Sequence, residues 1–128
     1  MALKASARIT IALLALLFFT YLFCLPGPDL PKENWFSKIP LFDKWVHTGI
    51  FFTIICVWSW AMQLFRYKQL SILLLLAALY GFLIEVVQYQ FIPGRSFDLA
   101  DVGADVTGSF IGLFFWLQWN HYKKNRPL

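Results

Sequence analysis

Five carboxylates, a histidine, an amide and two cations lie in or beside segments that are otherwise apolar enough to sit in lipid. Asp43, Lys44 and His47 open one apolar run, and Glu85 and Gln88 lie near the end of the next. Arg95 and Asp98 follow in the stretch Pro93-Gly94-Arg95-Ser96-Phe97-Asp98, and Asp101 and Asp105 enter the last run. An ionisable side chain at membrane depth costs about 2.5–3.5 kcal/mol even on insertion scales, so such groups persist where they face a bundle interior and serve something. Asp43 and His47 are one helical turn apart, the spacing of an acid that orients an imidazole base. Glu85, about seven residues inside its run, needs a dedicated partner and suits a general acid. Lys44 and Arg95 can engage phosphate or carboxylate, Arg95 bidentately, while Glu85, Gln88, Asp98, Asp101 and Asp105 can receive hydroxyl, amide or amine donors.

Counting charges sharpens this reading. With Asp43, Glu85, Asp98, Asp101 and Asp105 ionised and His47 neutral, Lys44 and Arg95 leave an excess of three negative charges in a poorly solvated place. Relief requires a protonated acid, a bound cation or a water-filled mouth. No ligand spacing here is diagnostic of a metal and no cysteine joins the set, so a divalent cation is not the favoured reading. Carboxylates alone would suit magnesium, and His47 would shift the preference toward zinc or manganese. Each residue also has a plainer role: Asp98 as a helix cap or partner of Arg95, Gln88 as an interhelical hydrogen-bonding group, Arg95 as a headgroup-level loop cation, and His47 as an interfacial histidine.

The elements that must position these groups follow from the composition. A chain of 128 residues that is 59% hydrophobic, 20% aromatic and only 14% charged falls outside the soluble globular range. The net charge of +4 is carried by small basic groups beside apolar runs and forms no stripe, which excludes nucleic acid as a partner. Four apolar runs, 9–25, 45–65, 70–92 and 99–119, are each long enough to cross a hydrocarbon core at about 1.5 Å per residue. The reading is a single all-α domain, an integral membrane four-helix antiparallel bundle. The first run follows Lys4 and Arg8 and is read as a retained transmembrane helix, since no small-x-small site precedes Pro26. Between Pro26 and Phe42, either a short interfacial helix or an irregular loop would anchor Trp35 and Phe36. Cys24 and Cys56 are read as unpaired packing residues.

Lys4, Arg8, Arg66, Lys68, Lys123, Lys124 and Arg126 fall on the two ends and the second loop, against Lys32, Lys38, Lys44 and Arg95 on the other connections. By the positive-inside rule both termini are cytoplasmic. Every unusual polar residue then falls at the outer ends of the helices. Asp98, Asp101, Asp105, Gly108 and Gly112 recur at three- and four-residue steps, one stripe down the fourth helix. Gly108 and Gly112 form a GxxxG pattern suited to close packing within the bundle, with a homo-oligomer face as the alternative.

These residues resemble the VanZ-like family of small bacterial membrane proteins, named for a factor associated with teicoplanin resistance. Asp43-Lys44-x-x-His47 is similar to its second-helix motif. Glu85-x-x-Gln88 with Pro93-Gly94-Arg95-Ser96-Phe97-Asp98 and Asp101 is similar to its longest motif, and Gly108 and Gly112 to its close. Where this chain has Asp105 the family usually has Asn. The resemblance covers about two thirds of the chain, from Asp43 to Phe115. It implies a multi-pass bacterial plasma-membrane protein with an extracytoplasmic site, partnered by a membrane lipid or a teicoplanin-like lipoglycopeptide. Two functions lead: binding or handling of such an envelope amphiphile, or, with His47, Asp43 and Glu85 as catalytic residues, hydrolysis or transfer on a lipid-linked substrate; a structural or partner-binding subunit stays open as a third.

Overall fold

The structure, a computed structural model, describes residues 3–26 and 39–125 and contains four helices: α1 (Ala5–Phe23), α2 (Phe42–Met62), α3 (Tyr67–Phe91) and α4 (Leu99–Lys124). All four are long and apolar enough to cross a membrane. The reading of the first loop around Trp35 and Phe36 falls outside the described residues. The other expected runs are found, but their ends differ. α1 to α3 begin three or four residues before the apolar runs do, and α4 continues to Lys124 rather than residue 119. Hydropathy marks where a chain meets lipid, whereas a helix ends where its backbone hydrogen bonds find another partner. α2 stops at Gln63, whose left-handed φ of 54° turns its N–H back to the Ser59 and Trp60 carbonyls. α4 runs on because His121, Lys123 and Lys124 in its last turn complement the negative end of the helix dipole.

The connection from α3 to α4 is a tight turn. Gly94 takes φ 75°, a conformation that favours glycine, and the Arg95 N–H donates to the Ile92 carbonyl at 3.3 Å. Asp98 then caps α4, its Oδ1 accepting from the Ala100 N–H at 2.8 Å.

The most extensive interface joins α2 to α4, with α1 packed on α2 and α3 packed on α4, while α2 and α3 touch little. The reason is backbone proximity. A Cβ on Gly108 would collide with the Thr48 carbonyl, and one on Gly112 would lie 2.7 Å from the Phe52 carbonyl oxygen. The two glycines therefore let α4 rest directly on the backbone of α2, with Thr48 Oγ1 donating to the Ala104 carbonyl at 3.3 Å. That face is filled from within the chain. Phe51, Ile55, Ala77 and Ile84 form the apolar core beside it, and Trp116 closes the opposite end by donating to the Leu64 carbonyl at 2.8 Å. Leu14, Leu17, Phe18, Leu75, Leu79 and Phe114 are among the large apolar side chains left facing outward, as a lipid-contacting surface requires. Cys24 and Cys56 are both free.

If the α2–α4 contact holds the bundle together, Gly108→Ala in detergent-solubilised protein lowers unfolding stability by about 1–3 kcal/mol, the usual cost of overpacking. Gly103→Ala, where a Cβ meets nothing within 4 Å, is neutral or stabilising. Equal thermal midpoints for the two variants would refute the contact's importance.

Candidate functional site

The polar residues named from the sequence gather where α2 and α4 begin and α3 ends, and two layers can be distinguished. The outer layer is built on Lys44. Its Nζ lies 2.8 Å from Asp43 Oδ2 and 2.6 Å from Asp101 Oδ1, and it also contacts Asp98 Oδ2. One ammonium thus joins the first turn of α2 to the cap and first turn of α4. The Lys44 ammonium, with the Ala100 N–H, holds the Asp98 carboxyl below the usual carboxylate range.

The inner layer is buried. His47 is 4% exposed, and its Nδ1 lies 2.8 Å from Oδ1 of Asp105, which is 0% exposed. The expected partner of His47 was Asp43, one turn away on the same helix; the structure assigns that role to Asp105. Asp43 sits at the helix start with its side chain 58% exposed and held by Lys44, whereas Asp105 faces α2 across the closely packed α2–α4 interface. Opposite, His47 Nε2 is 4.0 Å from Asp101 Oδ2, and the Phe23 ring of α1 packs 4.8 Å from the imidazole centroid.

Glu85 is fully buried. Its Oε2 accepts the Asp98 N–H at 3.1 Å, while Oε1 has no hydrogen-bond partner among the described residues. His47, Glu85 and Asp101 each bring one donor atom within 4.8 Å of the others, the spacing of groups that could hold a metal ion. Asp43, Asp98 and Asp101 are similarly close, but the Lys44 ammonium already lies among them.

Two expected ligand groups have other placements. Gln88 Nε2 donates to the Phe23 carbonyl at 2.8 Å, satisfying one of the open carbonyls at the end of α1, so the amide is an interhelical tie. Arg95 forms no ion pair among the described residues, and its Nε is buried without a partner. Asp98 takes Lys44 rather than Arg95. Sequence reasoning also missed Gly81 and Phe23. A Cβ on Gly81 would lie 2.5 Å from Asp105 Oδ2, so this glycine makes room on α3 for the buried carboxylate. Its signal was available: it is the sole glycine of α3 and stands one turn before Glu85. Phe23 had none, being one aromatic among many.

The VanZ/LLP1 family profile matches residues 4–120. The chain belongs to the VanZ/LLP1 family. It is also similar to the uncharacterized protein C11E3.10 of Schizosaccharomyces pombe, 29% identical over 75 residues, which covers 59% of this chain and 46% of that protein. The match thus spans less than half the length of that relative. No solved structure matches the chain. This VanZ/LLP1 protein is accordingly a multi-pass membrane protein with four candidate spans.

Lys44 is the cation on which the outer layer depends. Lys44→Met lowers unfolding stability by about 1.5–3 kcal/mol, the range for hydrogen bonds to charged groups. Adding Asp101→Asn recovers part of the loss, with a coupling of about 0.5 kcal/mol or more in a double-mutant cycle. Strictly additive losses in urea unfolding would show that the pair is not coupled.

Proposed function

We propose that this VanZ/LLP1 protein takes the polar head of a membrane amphiphile into the end of the bundle where α2, α3 and α4 meet. The amphiphile is a lipid or a lipoglycopeptide of the teicoplanin kind. The observation that carries the reading is the division of labour between the two cations. Lys44 is occupied by three carboxylates, whereas Arg95, in the turn that leads to Asp98, has no ionic partner among the described residues. Its planar guanidinium suits a phosphate or carboxylate bidentately. The buried acids and His47 at the same end of the bundle offer acceptors to hydroxyl or amine groups of the same head. The outward-facing leucines and phenylalanines keep the acyl part in lipid beside the helices. Basic residues at the amino end of α1, in the α2–α3 connection and at the end of α4 support an orientation in which the site faces away from the cytoplasm.

Titrating detergent-solubilised protein with short-chain phosphatidylglycerol and with teicoplanin tests this. At least one binds, and Arg95→Ala weakens that binding about tenfold or more, equivalent to about 1.4 kcal/mol. Arg95→Lys restores only part, because a point charge does not reproduce the fork. Equal affinity in wild type and Arg95→Ala would end the proposal.

The His47–Asp105 hydrogen bond favours a second reading, an intramembrane hydrolase or transferase acting on a lipid-linked substrate. A buried carboxylate on Nδ1 fixes the imidazole so that Nε2 is free to accept a proton, as a general base requires. In that case purified protein releases product from labelled phospholipid or polyprenyl phosphate, and His47→Ala lowers the rate by about 10²–10⁴-fold. Product formation unchanged by His47→Ala would exclude it.

A further inference from the structure

The geometry points to a site for one divalent first-row cation, manganese or zinc, bound by His47 Nε2 and one oxygen each of Glu85 and Asp101. It rests on the same cluster as the working site but on no particular amphiphile.

Three observations lead there. First, the ligand groups converge from three helices, with one donor atom of each inside a 4.8 Å set. Second, each group has one end fixed by the scaffold and the other end unengaged. His47 Nδ1 is held by Asp105, which leaves Nε2. Asp101 Oδ1 is held by Lys44, which leaves Oδ2 at 4.0 Å from Nε2, too far for a hydrogen bond between them. Glu85 Oε2 is held by the Asp98 N–H, which leaves Oε1 unpartnered among the described residues on a side chain that is 0% exposed. Third, the charges ask for it. A fully buried carboxylate whose one hydrogen bond among the described residues comes from a neutral backbone N–H is costly, and a dication facing Glu85 and Asp101 would neutralise both.

The surrounding contacts fit the chemistry of such a site. A metal-bound imidazole ordinarily donates its other N–H to a carboxylate, which fixes the tautomer and raises its basicity; Asp105 stands in that place. One nitrogen and two carboxylate oxygens match manganese or zinc better than magnesium or copper. Three protein ligands also leave coordination positions for water or for an oxygen of a bound head group. The neighbouring triad Asp43, Asp98 and Asp101 is not an alternative, since the Lys44 ammonium already fills it.

The test uses the full chain in detergent, with no amphiphile added, so its outcome is separate from that of head-group binding. Equilibrium dialysis against micromolar Mn²⁺ or Zn²⁺ is expected to give one ion per chain. His47→Ala and Glu85→Gln lose it while keeping the helical circular-dichroism signal, and Asp43→Asn retains it. Should either variant fail to fold, the bound Mn²⁺ of the His121→Ala protein reports instead. With ¹⁵N-histidine incorporated, His47 is then the only labelled residue, and its nitrogen hyperfine coupling changes accordingly. Absence of stoichiometric binding of both ions, binding lost in Asp43→Asn but kept in Glu85→Gln, or a Mn²⁺ signal without histidine nitrogen coupling would each overturn the proposal.

Discussion

The close approach of α4 to the backbone of α2 is the constraint on which the other features of this molecule depend. Gly108 and Gly112 remove the side chains that would hold the helices apart, and the same stripe, continued upward, carries Asp105 and Asp101. Because the helices touch so closely, these acids meet His47 and Lys44 at hydrogen-bonding distance rather than across a gap. Packing and polar chemistry are two ends of a single interface. The glycines position the carboxylates, and α2 supplies the groups that make burying them tolerable.

α1 and α3 complete the enclosure in different ways. α3 contributes Glu85 and, one turn earlier, the glycine that accommodates Asp105. α1 contributes no titratable group to the cluster, yet its last turn closes one side: the Phe23 ring lies against the imidazole and its carbonyl is tied to Gln88. The amide that looked like a ligand is thus a fastener between α1 and α3, and the first helix, which carries no motif, helps to keep the imidazole from water.

Much of this was legible in the sequence. The four spans were, because roughly twenty apolar residues in a row have few other homes, and the gathering of polar residues at one level was, because their positions along each run place them there. The family motifs pointed to the same residues. What stayed hidden was pairing. The i, i+4 spacing drew His47 to Asp43, but a side chain on a helix's first turn is free to turn outward, and the tertiary contact with Asp105 prevailed. Likewise Lys44 and Arg95 read alike as nearby cations; only the fold distinguishes the one enclosed by three carboxylates from the one left without an ion pair among the described residues. Helix ends were misplaced by a few residues because capping, not apolarity, sets them.

The ionisable residues of the site come from three helices but all lie within about two turns of a helix end, at one level of the bundle, and this bears on how they come to be buried. A helix crossing alone can keep its acids near the headgroups, where water and tilt soften the cost. Glu85, His47 and Asp105 lose that hydration only when the helices associate sideways in the bilayer, each then meeting neighbours supplied by another segment. The dryness of these groups is therefore a property of the assembled bundle and of no single span.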